Sequence, residues 1–225
     1  MPRSEDPGFF ETIYSARALR RFSERIVEED VIFQVLDAAI RAPSGGNAQD
    51  WRFVVVKDQS KKKKMQEWAE EGWASYQSKF AKNNDEARNL PRSQRLPYLA
   101  AAHLVEHLAE APVIIVVTGE KDRHQFSGGS TFPAIQNILL AARALGLGGS
   151  IFNMPMIRHK EDLSELLGIP ANYEVVCIVP LGYPTDRHGP LKRKPVHEVV
   201  FIDDFGKTWD FASEQPENGW ENIWL

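Results

Sequence analysis

Ala42-Pro43-Ser44-Gly45-Gly46-Asn47-Ala48-Gln49-Asp50-Trp51 is the joint from which this chain can be laid out. Upstream of it, Val31, Ile32, Val35, Leu36, Ala38 and Ala39 recur at helical spacing. Glu28, Glu29 and Asp30 precede them, where negative charge favours a helix N-terminus. Pro43 and the run from Ser44 to Asn47 stop that helix. Downstream, Arg52-Phe53-Val54-Val55-Val56 is a β-branched run that predicts a strand. A helix thus hands over to a strand through residues small enough for backbone to approach a flat ligand. Asn47 and Gln49 add donors and acceptors. A plain helix-to-strand loop would use the same composition, so this stretch alone does not decide between the two.

On either side the pattern alternates between helix and strand. Residues 9–18 read as a short helix leading into the arginine-rich turn Arg17 to Phe22. Lys61 to Lys64 opens a charged stretch that runs to about residue 98 and holds Trp68, Trp73, Tyr76 and Phe80. It reads as a solvated helix and loop, or as a lid over a site, because long loops in compact domains are often functional. Leu99–Glu110 is helical and Val113–Thr118 is an apolar strand. Thr131–Leu145 is an apolar helix closed by Gly146, and Glu161–Leu167 is a short one closed by Gly168. Val175–Leu181 has the continuous apolar character of a central strand. Beyond Gly182 come turns, a basic triplet and a strand-like run at Val199–Ile202. An aromatic tail over 204–225 follows, carrying Phe205, Trp209, Phe211, Trp220 and Trp224. The reading is α+β, one domain over residues 1–203 with a separate tail.

Composition narrows the chemistry. The chain has 225 residues, 43% hydrophobic and 26% charged, the balance of a globular protein. Its formal charge of −4 argues against a dedicated nucleic-acid binder. No apolar run is long enough to span a bilayer, and MPRSEDPGFF lacks the apolar core of a secretory signal, so a cytoplasmic protein is expected. Cys177 is the only cysteine, which leaves no CxxC pair and no cysteine-based zinc site. Any redox centre must therefore be borrowed. His103 and His107 are four apart on a helix, but no third ligand follows at matching spacing, so no metal is expected.

Two further segments could meet the loop at 42–51 on one ligand. Arg17 and Arg20 are three apart, a spacing that points two guanidinium forks the same way on a helical turn, and Arg21 follows. Such forks match phosphate oxygens. Lys192-Arg193-Lys194-Pro195 lies beyond the turn Gly182-Tyr183-Pro184. Each could equally be a solvated basic surface. Gly146-Leu147-Gly148-Gly149 follows a helix and lacks GxGxxG spacing, which argues against a dinucleotide fold. Gly128-Gly129-Ser130 resembles a phosphate nest, although a simple N-cap by Ser130 explains it as well.

Taken in order, these segments resemble the nitroreductase family, near its iodotyrosine deiodinase branch. Arg17 to Phe22 matches an RxxRxF element and Ala42 to Trp51 matches APSxxNxQxW. Pro133-Ala134-Ile135-Gln136-Asn137 then leads to the run from Ala141 to Gly148. Leu166 to Pro170, Val179 to Pro184 and Arg193-Lys194-Pro195 complete the series. The resemblance spans roughly residues 12 to 200. It implies a nitroreductase-like fold, a central mixed sheet flanked by helices, in an intertwined homodimer with FMN at the subunit interface. It implies that Arg17, Arg20 and Arg193 hold the phosphate, with Ala18 and Arg21 alongside. Pro43, Ser44, Gly45, Asn47 and Gln49 would line the flavin ring, largely from the partner subunit. Phe152, Asn153 and Met154 fall where the family places backbone donors near flavin N5 and O4, and Ser130 is a further cofactor candidate.

The same resemblance implies ping-pong transfer from transiently bound NAD(P)H to a small acceptor such as a nitroaromatic or quinone. No side chain is then required as the reactive group. Trp68, Trp73 and Tyr76 are the candidates for the acceptor side. The chain departs from the family at Ala16-Arg17-Ala18, where Arg-Arg-Ser is frequent, and at Asp50, where proline is common. Reductive dehalogenation of a halotyrosine-like substrate is the second reading. Its lid uses a Glu four residues before a Tyr, and here Gly72 stands four before Tyr76. A flavin store or sensor with little turnover is the third. The tail is expected to wrap the partner subunit.

Overall fold

Val113–Glu120 and Tyr173–Gly182 are the two most apolar runs of the chain, and they form its centre. In the computed structural model, which describes residues 7–79, 81, 83–121 and 129–214, they pair antiparallel as β2 and β4. Trp51–Val56 (β1) flanks β2, and the two-residue Gly148–Gly149 (β3) flanks β4, giving the order β1-β2-β4-β3. Every ladder is antiparallel. The parallel component of the expected mixed sheet is a single bridge between Ala18 and Gly149.

Side-chain alternation along β2 and β4 divides the interior in two, because successive strand residues face opposite ways. Ile114, Val116 and Ile178 enter one core with Met65, Trp68, Trp73, Leu104, Leu108 and Leu163. That layer is built by α3 (Gln59–Gln77), α5 (Arg92–Glu106) and α7 (Met156–Leu166). Val113, Ile115, Val117, Val179 and Leu181 enter the other core with Val35, Ala39, Ile135 and Ile138. These last belong to α2 (Glu29–Ala39) and α6 (Thr131–Ala144). Cys177 is buried there too, and burial pushes its thiol up to about 12, so it stays an inert packing group. Short helices complete the set: α1 (Phe9–Ser15), α4 (Asn84–Ala87) and α8 (Asp210–Ser213).

Several expectations change. The stretch 61–98 belongs largely to α3, α4 and the first half of α5, and Trp68 and Trp73, 7% and 8% exposed, are core residues. α5 begins at Arg92 and carries Pro97 inside it, which leaves the Ser93 carbonyl without its helical donor. The run at Val199–Ile202 has no ladder partner. Phe201 makes one bridge to Thr208, and the segment lies exposed. His103 and His107 are half-buried and their rings stack at 4.1 Å. Among the described residues no cluster suits a metal and no helix is long and apolar enough to cross a membrane. Phe80, Gly128, Trp220 and Trp224 lie outside the described residues.

α3 packs against the segment before α7 through Gly72. A Cβ at that position would stand 2.1 Å from the Met154 carbonyl oxygen. Gly72→Ala must therefore push helix and segment apart. Overpacking of this kind costs about 1–3 kcal/mol, and urea unfolding should read that loss at unchanged m-value.

Candidate cofactor and acceptor site

The arginine turn reaches the sheet because β3 is glycine. Leu19 N–H donates to the Gly149 carbonyl at 3.2 Å, and Ala18 bridges Gly149 in parallel. Three neighbouring arginines then meet three environments. Arg17 is exposed; its backbone N–H donates to His188 Nδ1 at 3.4 Å. His188 Nε2 therefore carries the proton and donates to the Leu147 carbonyl at 2.9 Å. Burial holds His188 below the usual imidazole pKa, in keeping with this neutral tautomer. Arg21 is committed to Asp186 at 3.3 Å, which ties the turn to the Pro184–Gly189 segment.

Arg20 turns inward. Its Nε is buried with no partner among the described residues, its terminal nitrogen reaches the Ala18 carbonyl only at 3.5 Å, and burial lowers its pKa. Guanidinium remains charged all the same. It lines a cavity of about 470 Å³ together with Trp73, Tyr76, Tyr98, Phe152, Asn153 and Met154. The Trp73 ring lies 5.0 Å from Tyr98 and 5.9 Å from Tyr76, forming a nearly continuous aromatic wall. Tyr98 donates from its hydroxyl to Gln77 Oε1 at 3.4 Å. Phe152 N–H is already bound to the Ile178 carbonyl, so the backbone donors left in this segment are those of Asn153 and Met154. Trp68 does not line the cavity. It stacks on His159 at 5.4 Å on the far side of α3.

The loop at 43–49 lies elsewhere. Gly45 N–H donates to Ser130 Oγ at 3.2 Å, so Ser130 holds this loop and makes no side-chain cap. Ser44 Oγ accepts from Gln49 N–H at 2.8 Å, and Gln49 Nε2 donates to Asn47 Oδ1 at 3.2 Å. Gly46, Asn47 and Gln49 all have φ near +50°. For Asn and Gln that is a strained backbone, of a kind that concentrates at ligand sites. Pro43, Gly45 and Asn47 are exposed. Asp50, in contrast, is only 5% exposed and its Oδ1 has no partner among the described residues.

α6 measures the separation between the two groups. Ser130, beside Gly45, precedes its first turn, and Leu147–Gly149, beside Leu19, follows its last. Fourteen helical residues span about 20 Å. None of Pro43 to Gln49 lines the cavity that holds Arg20. One chain thus carries two parts of the predicted site and does not bring them together. Arg193 is exposed on the coil beyond Gly189, whose N–H donates to the Ser15 carbonyl, and its guanidinium donates to the Lys192 carbonyl at 3.1 Å. Sequence reasoning missed His188 and Tyr98, and no pattern in the chain marks either.

Comparison with known proteins gives a consistent result. Residues 13–183 match the model of the nitroreductase family. A protein of Archaeoglobus fulgidus named as an NADH dehydrogenase/NAD(P)H nitroreductase is 35% identical over 178 residues, 77% of this chain and 84% of its own. The iodotyrosine deiodinase of Thermotoga neapolitana is 31% identical over 186 residues, 82% and 91% respectively. Among solved structures, an iodotyrosine deiodinase bound to FMN and 3-iodo-L-tyrosine superposes with a TM-score of 0.68 at 24% identity, covering 87% of this chain and 99% of that one. A nitroreductase of Desulfitobacterium hafniense with bound FMN gives 0.66 at 22%, covering 86% and 97%.

His159 of α7 ties that helix to α3, which supplies one wall of the cavity. Its Nδ1 meets Asp162 at 2.6 Å and its Nε2 meets Glu71 of α3 at 2.8 Å. These two carboxylates raise its pKa, Asp162 most. A raised folded value means that the stabilisation is complete below the unfolded imidazole value of about 6.5. It is lost as pH climbs through the folded value. His159→Gln should lower the melting temperature at pH 6 and have little effect at pH 9, and melts across that range check it.

Proposed function

The chain belongs to the nitroreductase family, and on that premise we propose that it is an FMN-dependent oxidoreductase passing reducing equivalents from NAD(P)H to a small acceptor. The observation that carries the reading is the convergence of Arg20 with Asn153 and Met154 on one aromatic-walled cavity. A buried guanidinium Nε without a partner is costly unless a ligand acceptor meets it. The Asn153 and Met154 backbone N–H groups, which have no hydrogen bond among the described residues, suit the polar edge of a flat ring. FMN, when bound, supplies hydride transfer with both nicotinamide and acceptor.

The chain's own residues supply the setting. Arg17 and Arg193 hold the phosphate from the exposed side, and His188 fixes the backbone at Arg17. Arg20, placed with them in the sequence reading, faces the ring end, where its charge stabilises electron density arriving on the ring. Trp73, Tyr76 and Tyr98 exclude water and present aromatic faces to a planar acceptor such as a nitroaromatic or quinone. NAD(P)H and acceptor would use this one cavity in turn, the geometry of ping-pong turnover. The strained loop Pro43 to Gln49 meets the same cofactor from a second copy of the chain, because its own arginines lie a helix length away. The exposed arm at 196–214, with Phe205 96% exposed, would wrap that second copy.

Dehalogenation of a halotyrosine-like substrate is the second reading, favoured by the deiodinase relatives. Gly72 speaks against it. The position four before Tyr76 rests on the Met154 carbonyl and has no space for the carboxylate that would meet a substrate ammonium.

Anaerobic stopped-flow with NADH, NADPH and a panel of acceptors tests the central claim. Flavin bleaching by a nicotinamide and reoxidation by a nitroaromatic or quinone are expected. Bleaching by dithionite alone, with tight halotyrosine binding, would transfer the assignment to the dehalogenase. Arg17→Ala or Arg193→Ala should weaken FMN binding by about 1.5–3 kcal/mol, the scale of a charge-assisted hydrogen bond, read by fluorescence titration.

A mixed dimer tests the divided site. One chain carries Arg17→Ala with Arg20→Ala, and the other carries Asn47→Val, a β-branched residue at a positive φ. Each parent should lose flavin, whereas the heterodimer keeps one unaltered site and should hold about half the wild-type complement. A heterodimer as empty as its parents would place the whole site in one chain.

A further inference from the structure

Lys61, Lys62, Lys63 and Lys64 stand in one run on α3, and only the second is buried, at 6% exposure. Its amine donates to the Ala111 carbonyl at 2.8 Å and pairs with no carboxylate among the described residues. It lines a cavity of about 480 Å³, separate from the one that holds Arg20. Phe22, Ile26, Val27, Pro112 and Val113 make one side of it apolar, and Glu24, Gln59 and Glu110 lie on its polar side. Lys57, the other lysine there, is committed to Glu29. Two residues further on, Lys64 is held by Glu67 at 2.8 Å.

We propose that Lys62 is a covalent capture site for small apolar aldehydes, which enter this cavity and condense with its amine to an imine. The nitrogen lone pair forms the new bond to the carbonyl carbon. The carbonyl oxygen leaves as water with the two amine protons, and hydrolysis reverses the step. Once protonated from solvent, the imine keeps one N–H for the Ala111 carbonyl, so the buried acceptor is still satisfied. Desolvation lowers the pKa of Lys62, whereas the hydrogen bond to Glu67 raises that of Lys64. Of the four lysines in the run, the nucleophilic neutral amine is therefore concentrated at the one that faces the cavity.

Lys61, Lys63 and Lys64 are controls within the same peptide. The folded full-length protein is treated with butanal and cyanoborohydride at pH 7, digested at glutamate, and mapped by mass spectrometry. Lys62 should be alkylated several-fold faster than its three neighbours, because it alone of the four lines the cavity that would gather an apolar aldehyde. The preference should vanish in 6 M guanidinium, where no cavity exists. Lys62→Arg, which keeps a donor for Ala111, should remove this adduct alone. Equal or slower labelling of Lys62 in the folded protein overturns the proposal. So does a preference that survives unfolding, because it would then belong to the local sequence.

Discussion

The close approach of Leu19 to β3 is the contact on which the rest of the site depends. A Cβ on Gly148 would stand 2.9 Å from Leu19 Cβ and 3.0 Å from Pro184 Cβ, and one on Gly149 would stand 2.5 Å from a Leu181 methyl. Only bare backbone lets the N-terminal turn lie against the sheet edge, donate Leu19 N–H to Gly149, and aim Arg20 into the cavity. The same two glycines follow α6 directly, so the helix that seats the strained loop at one end delivers the arginine contact at the other. Sheet edge, cavity and loop are fixed by one helix and one pair of glycines. The 20 Å scale of the divided site follows from that helix's length.

What could be read in advance follows from how burial is distributed. β2 and β4 were legible because both faces are covered and the sequence is apolar without interruption. β3 was not, because two glycines carry no hydrophobic pattern. The first half of α5 was hidden by Pro97, which ordinarily ends a helix and here sits inside one. Val199 to Ile202 reads as a strand because an apolar run in a projecting arm has the same letters as one in a sheet; only a ladder partner distinguishes them. Arg17, Arg20 and Arg21 are the same residue type within five positions, and tertiary contacts alone give them an exposed, a cavity-facing and an ion-paired role. Trp68 and Trp73 are likewise indistinguishable by composition, yet one faces His159 and the other the cavity.

The arm and the loop bear on the same question from opposite directions. Val196, Val199, Phe201, Ile202, Trp209 and Phe211 are all exposed, and α8 packs on the turn at Val196–Glu198 of its own arm. So much apolar surface along one arm marks a contact with another surface. The loop, meanwhile, holds Asn47 and Gln49 in the left-handed conformation and does not line the cavity of its own Arg20. The proposed dimer would answer both: a second copy would cover the arm and bring an Arg20 cavity to the loop.

The cavity's charge then determines what chemistry it favours. Its lining contains Arg20 and no carboxylate, and its other polar groups are hydroxyls, amides and backbone. A single buried cation in a low-dielectric, aromatic-walled space favours any state in which negative charge accumulates on the ligand. Electrons delivered to a ring are such a state; a substrate ammonium is the opposite. Gly72 reinforces this, since the helical position four before Tyr76 is occupied by the Met154 carbonyl contact. Helix packing, which needs the glycine, and cavity electrostatics, which lack an acid among the described lining residues, favour the proposed uncharged or anionic planar acceptor over a zwitterion.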